Sequence, residues 1–186
     1  YFHIHAVPTM VEQDQPEQLI VTVRDVTTKM QQQQKMEAIQ KAGMELADLK
    51  PEELKHMSVD ERIELLKSNI VHFTGELLHY DVMEIRLLDR KTGRLEPLLA
   101  VGIEQEAALR ELHAQPQGNG VTGFVAATGK SYLCEDTSED PLYLLGARDA
   151  KSSITVPLIS HEEMLGTFNV ESPKSCAFDE SDLQFL

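Results

Sequence analysis

Tryptophan is absent from this chain, and aromatic residues make up only 5% of its 186 positions. That leaves too little π surface for a platform that stacks single-stranded nucleic acid. Basic residues are scarce as well: 17 Lys and Arg stand against 31 Asp and Glu, a formal charge of -14. The imbalance is concentrated in residues 51–186, which hold 12 basic and 24 acidic side chains. Such a surface repels phosphate backbones and anionic lipid, which argues against nucleic acid or a membrane as partners of this segment. Only two cysteines occur, Cys134 and Cys176, without a CxxC spacing or a neighbouring His cluster. Reduced thiols in a cytoplasmic setting are the expectation. No apolar run approaches the ~18 residues of a membrane-spanning helix.

What is present is ordinary globular composition, 41% hydrophobic and 26% charged, enough to bury a core. Phe2, Ile4 and Ala6 alternate with His3 and His5, the period of a half-buried strand. A polar turn, 12–17, leads to the β-branched run Leu19-Ile20-Val21-Thr22-Val23, a second strand. Two strands alone are marginal in water. Residues 29–49 then read as helix, with Met36, Ile39, Gly43 and Leu46 spaced like a short heptad seam. Pro51 breaks it. Ser58-Val59-Asp60-Glu61 has the form of a capping box. Ile63, Leu66, Ile70, Phe73, Leu77 and Tyr80 follow at spacings of 3 and 4, which predicts a long amphipathic helix.

From Asp81 the pattern changes to strands at 82–88, 95–101, 131–134, 153–159 and 166–171. A short helix is expected over 104–113 and a final one from Phe178. The apolar run 121–127 follows a glycine-rich loop. The fold class expected is α+β: a central antiparallel sheet with helices on one face, preceded by a long helical connector and a β-hairpin.

Several residues in this order resemble a GAF domain. They are Gly118-x-Gly120-x-x-Gly123-x-Val125, Gly129, Asp136 and Asp140-Pro141. Ser152 to Ile159, Leu165-Gly166-x-Phe168-Asn169-Val170 and Phe178-x-x-x-Asp182-Leu183 complete the pattern. Val23-Arg24-Asp25-Val26-Thr27 resembles the Asp-Ile-Thr exit of a PAS domain, in which the Asp and Thr side chains tie the last strand to a signalling helix. The resemblance implies PAS strands over 1–28, a helical linker over 29–57, and a GAF domain over 58–186 whose final helix is cut short. It implies a sensory input region of a bacterial signal-transduction protein, most simply a sensor histidine kinase. The alternative is a receptor for a cyclic nucleotide or metabolite that regulates a cyclic-di-nucleotide enzyme or a transcription factor. The output domain would be part of a longer parent chain.

The same resemblance points to a pocket lined by Phe124, Tyr132, Tyr143, Ile154, Val156 and Asn169, with an unidentified small molecule as ligand. Asn169 is the sharpest of these, because an Asn facing a covered sheet needs partners. No cofactor is evident. Cyclic-nucleotide GAF domains carry Asn-Lys and later Asp-Glu, and here Val170 and Leu183 stand in the second places. Bilin attachment needs a Cys beside a His, and Cys134 and Cys176 precede Glu135 and Ala177. The GAF enzymes that reduce free methionine sulfoxide use three closely spaced cysteines, so no catalytic residue is expected. His72, Glu76 and His79 share a helix face, but solvated side chains are the simpler reading, and no metal is expected. Met36, Ile39, Leu46, Ile63, Leu66 and Ile70 precede the sheet and are expected to zip two copies into a homodimer.

Overall fold

The computed structural model describes residues 1–11, 15–27, 29–30, 33, 36–37 and 56–184; the side chains of 8–11, 15–19, 76, 77 and 184 lie outside that description. Strands β1 (Phe2–Val11) and β2 (Gln15–Asp25) pair antiparallel as a two-stranded sheet of their own. At its end the Val26 N–H donates to the Tyr1 carbonyl, and the Thr27 N–H donates to the Asp25 carboxylate at 2.9 Å. Ile39 and Leu46, with most of the expected linker, lie outside the described residues.

Helix α1 (Val59–Leu78) starts where the capping box places it. Ser58 Oγ accepts the Glu61 N–H at 3.2 Å, and the Glu61 carboxylate accepts the Ser58 N–H at 2.7 Å. The helix ends at His79, which adopts a left-handed backbone with φ 58°. Five strands follow: β3 (Met83–Leu88), β4 (Leu95–Val101), β5 (Tyr132–Cys134), β6 (Ser152–Ser160) and β7 (Glu163–Ser172). They form one antiparallel sheet in the order β4-β3-β7-β6-β5. His161 and Glu162, both with positive φ, make the two-residue turn between β6 and β7.

Period-2 alternation gives the sheet two unlike faces. Met83, Ile85, Ile154, Val156, Phe168 and Val170 form a buried apolar cluster with Tyr80 and Phe178. Each such side chain contributes roughly 1.5–3 kcal/mol on burial. Ile70 and Leu78 of α1 pack on this face. Contact with the sheet thus begins at Ile70, a residue expected in the dimer seam. The stripe continues outward through Ile63, which is half-buried, and Leu66, which is exposed.

The other face is covered too, which corrects the expectation of helices on one side. Helix α2 (Gln105–Ala108) and helix α3 (Gly120–Thr128) lie over it, and Ala126 of α3 packs against Leu95 and Leu112. The run 121–127 hides its helical nature because it is apolar all round, so no 3.6-residue stripe shows. The helix expected over 104–113 stops after Ala108. The carbonyls of Ala107, Ala108 and Arg110 accept hydrogen bonds from the Arg86 guanidinium, and His113 turns away to bridge to Arg94. The helix expected from Phe178 is, over the described residues, one 3-10 turn at Asp182–Gln184. Asp179 caps it by accepting the Ser181 N–H at 2.7 Å, while Asp182 accepts the Asp179 N–H at 3.0 Å.

Candidate functional site

The face beneath α3 is buried and polar. Adjacent strands bring Glu84 opposite Asn169, Thr155 opposite Asn169, and Ser153 opposite Glu171. All five are buried, as is Arg86. Buried charges of this kind need partners. Arg86, 1% exposed, places Nη2 2.8 Å from Glu84 Oε1. Its donors, however, go to main-chain carbonyls: Nη1 to Leu95 and Arg110, Nη2 to Ala107 and Ala108, at 2.9–3.2 Å. The Glu84 contact is therefore an ion pair without hydrogen-bond alignment, and Glu84 Oε1 keeps an open acceptor position.

Next to this pair, Asn169 accepts the Thr155 hydroxyl at 2.8 Å and donates to Glu171 Oε1 at 3.1 Å. Glu171 Oε2 accepts the Ala147 N–H at 2.7 Å and the Tyr143 hydroxyl at 3.3 Å. These two bonds hold loop 140–150 over the site. Gly146 permits the approach, because a Cβ there would overlap the Glu171 carboxylate. A narrow cavity of about 30 Å³ lies among Glu84, Tyr143, Ser153, Asn169, Glu171 and Thr122. A cleft of about 460 Å³ adjoins Ala147 and the other side of Glu171.

Burial raises the Glu171 pKa above the ordinary 4.5, against the bonds from Ala147, Asn169 and Tyr143, and nearby Glu84 adds to the rise. A carboxyl with a raised folded-state pKa keeps its proton in the folded protein after the unfolded chain has lost it. Stability is then highest below the ordinary carboxylate value, falls as pH rises through the window up to the raised value, and is level above it. Glu171→Gln is expected to flatten that decline. Denaturant titrations at a series of pH values from the ordinary carboxylate value upward measure it, and an unchanged slope would exclude Glu171 as its source.

The residues expected to share a pocket are split by strand alternation. Tyr143 and Asn169 line the cavity. Ile154 and Val156 sit on the opposite face in the apolar cluster. Phe124 packs edge-on to Tyr132 at 5.5 Å, and the Tyr132 hydroxyl donates to Asp140 at 2.9 Å. Glu84, Arg86, Ser153, Thr155 and Glu171 escaped sequence reasoning. In a strand such as Met-Glu-Ile-Arg-Leu-Leu the alternate polar residues read as solvent-facing, and the signal pointing to them is the same alternation in a sheet covered on both sides.

Cys134 is buried beside this layer, and burial followed by the nearby Asp140 pushes its thiol up to about 12. It stays protonated at neutral pH and is a poor nucleophile. Cys176 is exposed. Thiol alkylation of the native protein is expected to modify Cys176 alone, with Cys134 reacting only after unfolding; mass mapping checks this. Among the described residues no three His, Cys, Asp or Glu side chains gather as metal donors. No described helix is long and apolar enough to cross a membrane.

A family model for the GAF domain matches residues 59–186. The chain belongs to the GAF domain family. Solved structures similar to this GAF domain share its fold at low sequence identity. The GAF domain of a phosphoenolpyruvate-protein phosphotransferase from Coxiella burnetii aligns with a TM-score of 0.65 at 18% identity, covering 83% of this chain and 86% of that one. Free methionine-R-sulfoxide reductase from Neisseria meningitidis aligns with 0.57 at 21% identity, covering 66% and 70%. A segment of a methyl-accepting chemotaxis protein aligns with 0.51 at 22% identity, covering 66% and 79%. No curated protein sequence matches the chain. These likenesses show the fold, and side chains rather than fold decide activity.

Proposed function

We propose that this GAF domain is a non-catalytic sensory domain that binds a small polar molecule beneath α3 and regulates an output domain of the same parent chain. The observation that supports this reading is the buried polar layer of Glu84, Ser153, Thr155, Asn169 and Glu171 around a cavity. An apolar layer would stabilise the fold with less desolvation, so a polar one fits a binding role. The one thiol near the cavity is held protonated, so thiol chemistry is not part of this reading. Native mass spectrometry of the purified protein, followed by thermal shift with a panel of nucleotides and metabolites, tests the receptor role. A ligand at a hundred times its Kd adds about 2.7 kcal/mol. A clean apo mass together with no shift would remove the receptor role.

The parent we propose is a bacterial sensor histidine kinase acting in a two-component system in the cytoplasm, with residues 1–28 as the end of a PAS domain. This rests on the likeness of Asp25-Val26-Thr27 to a PAS exit, and the Thr27 N–H bond to Asp25 is compatible with such a tie. A homodimer through the helices before the sheet belongs to the same proposal. The outward stripe at Ile63 and Leu66 is a candidate contact, and Val59 is also exposed. A sedimentation experiment at micromolar concentration that shows only monomer would remove the dimer.

A further inference from the structure

We infer that the molecule bound beneath α3 presents a primary ammonium head, held between the carboxylates of Glu84 and Glu171, with its remainder in the adjoining cleft. This deepens the receptor reading above and rests on it.

The inference comes from which polar groups are left open. Glu171 is 5% exposed and forms no ion pair with any described Lys or Arg; all of its partners are neutral donors. Glu84 is 7% exposed, and although Arg86 Nη2 lies 2.8 Å from its Oε1, the two Nη groups donate to four main-chain carbonyls and not to the carboxylate. Arg110 at the cavity rim donates to the Leu145 carbonyl and so holds the loop rather than either carboxylate. Ser153 Oγ, 1% exposed, has only the Cys134 thiol as a neighbouring side-chain partner, and Glu84 Oε1 accepts no hydrogen bond beyond its ion pair with Arg86. Both residues line the cavity. An open acceptor on Glu84, the Ser153 hydroxyl and a second carboxylate, Glu171, held by neutral donors alone are complementary to a compact cationic group rich in donors. An ammonium group has three donors and a positive charge, and a carboxylate or phosphate has neither.

Size narrows the class. A cavity of about 30 Å³ is small and favours a compact head group. A flat, extended group such as a guanidinium or a nucleobase suits it less well. Glu171 borders both this cavity and the 460 Å³ cleft, so an ammonium seated on Glu171 leaves the rest of its molecule in the cleft. Val82, Ala147 and Pro173 supply apolar contact there for a short carbon chain. Burial that favours the protonated carboxyl in the empty site has a consequence: the arriving cation displaces that proton.

The full chain is titrated by calorimetry with n-butylammonium, butan-1-ol, butyrate and cyclic GMP at about pH 8. The expected result is binding of n-butylammonium alone, at least about tenfold tighter than the alcohol. Glu171→Gln is expected to weaken it by about tenfold or more, with the fold checked by circular dichroism. In the wild-type protein, affinity is expected to rise with pH above the ordinary carboxylate value as Glu171 loses its proton, with buffer-dependent heats on the rising part that report a released proton. Should Glu171→Gln fail to fold, Ser153→Ala and this proton release provide the readout. Binding of butyrate or cyclic GMP in place of n-butylammonium would overturn the ammonium assignment and leave the receptor reading intact. Binding of n-butylammonium unaffected by Glu171→Gln, Ser153→Ala and pH would also overturn the assignment. Silence from all four probes, with a clean apo mass, would overturn both readings.

Discussion

Arg86→Met is expected to destabilise the domain by about 3–5 kcal/mol, the usual cost of removing one member of a buried ion pair. For a chain of this length that is a fall in Tm of roughly 10–15 °C. Two losses combine. The Glu84 carboxylate is left 93% buried without its cation, and the carbonyls of Leu95, Ala107, Ala108 and Arg110 lose their donors. The second loss also releases the end of α2 and the loop after it, since those carbonyls are held from β3 across the layer. A double variant, Glu84→Gln with Arg86→Met, should recover part of the loss, because it no longer strands a charge. Denaturant melts of wild type, both singles and the double measure the coupling. An Arg86→Met variant within about 1 kcal/mol of wild type would show that the pair and its carbonyl contacts contribute little.

Gly166→Ala is expected to destabilise by about 3 kcal/mol, at the upper end of what overpacking costs. Gly166 lies in β7, between β3 and β6, and pairs with Leu87 and Leu158. A Cβ there would overlap the Arg86 carbonyl oxygen and stand 3.0 Å from the Leu87 Cα. These are main-chain atoms of a strand hydrogen-bonded on both sides, so they cannot swing aside as a side chain would. The disturbed carbonyl belongs to Arg86, so the variant also shifts the residue that holds the polar layer. Gly75→Ala is the control. It sits inside α1 with nothing within 4 Å of the added carbon, and helix propensity predicts a gain of about 0.5–1 kcal/mol. Equal melting of both variants would remove the steric explanation.

The polar layer gives the two variants a common meaning. A five-stranded sheet with one apolar and one polar face would ordinarily turn the polar one to water. Here α3 and loop 140–150 cover it, so each polar group has to be matched within the protein or by a ligand. Most are matched: Asn169 by Thr155 and Glu171, and Glu171 by Ala147 and Tyr143. Of the unmatched buried atoms, Glu84 Oε1 and Ser153 Oγ share one cavity, while Arg86 Nε and the Tyr80 hydroxyl belong to residues outside its lining.

The elements of this domain were legible wherever a local signal carries the whole decision. The Ser58–Glu61 capping box sets the start of α1, because both of its bonds close within four residues. The strands β3, β4, β6 and β7 announce themselves by alternation and by their turns. Asn169 stood out because amide groups need partners wherever they are buried. Other features depend on what is opposite in space. Helix α3 shows no stripe because its residues are apolar on nearly every side, though only part of them is buried. The end of α2 is decided by a guanidinium more than twenty positions earlier in the chain. Strand register put Ile154 and Val156 on one side of the sheet, and Ser153, Thr155, Asn169 and Glu171 on the other. By itself, then, the sequence determined which residues form strands and helices, which hydrogen-bond caps start them, and the family pattern in which they follow one another. Only the tertiary structure decided that both faces of the sheet are covered. Glu84, Arg86 and Glu171, polar residues that a one-sided sheet would expose to water, thereby became the buried and partly unpaired lining of a site.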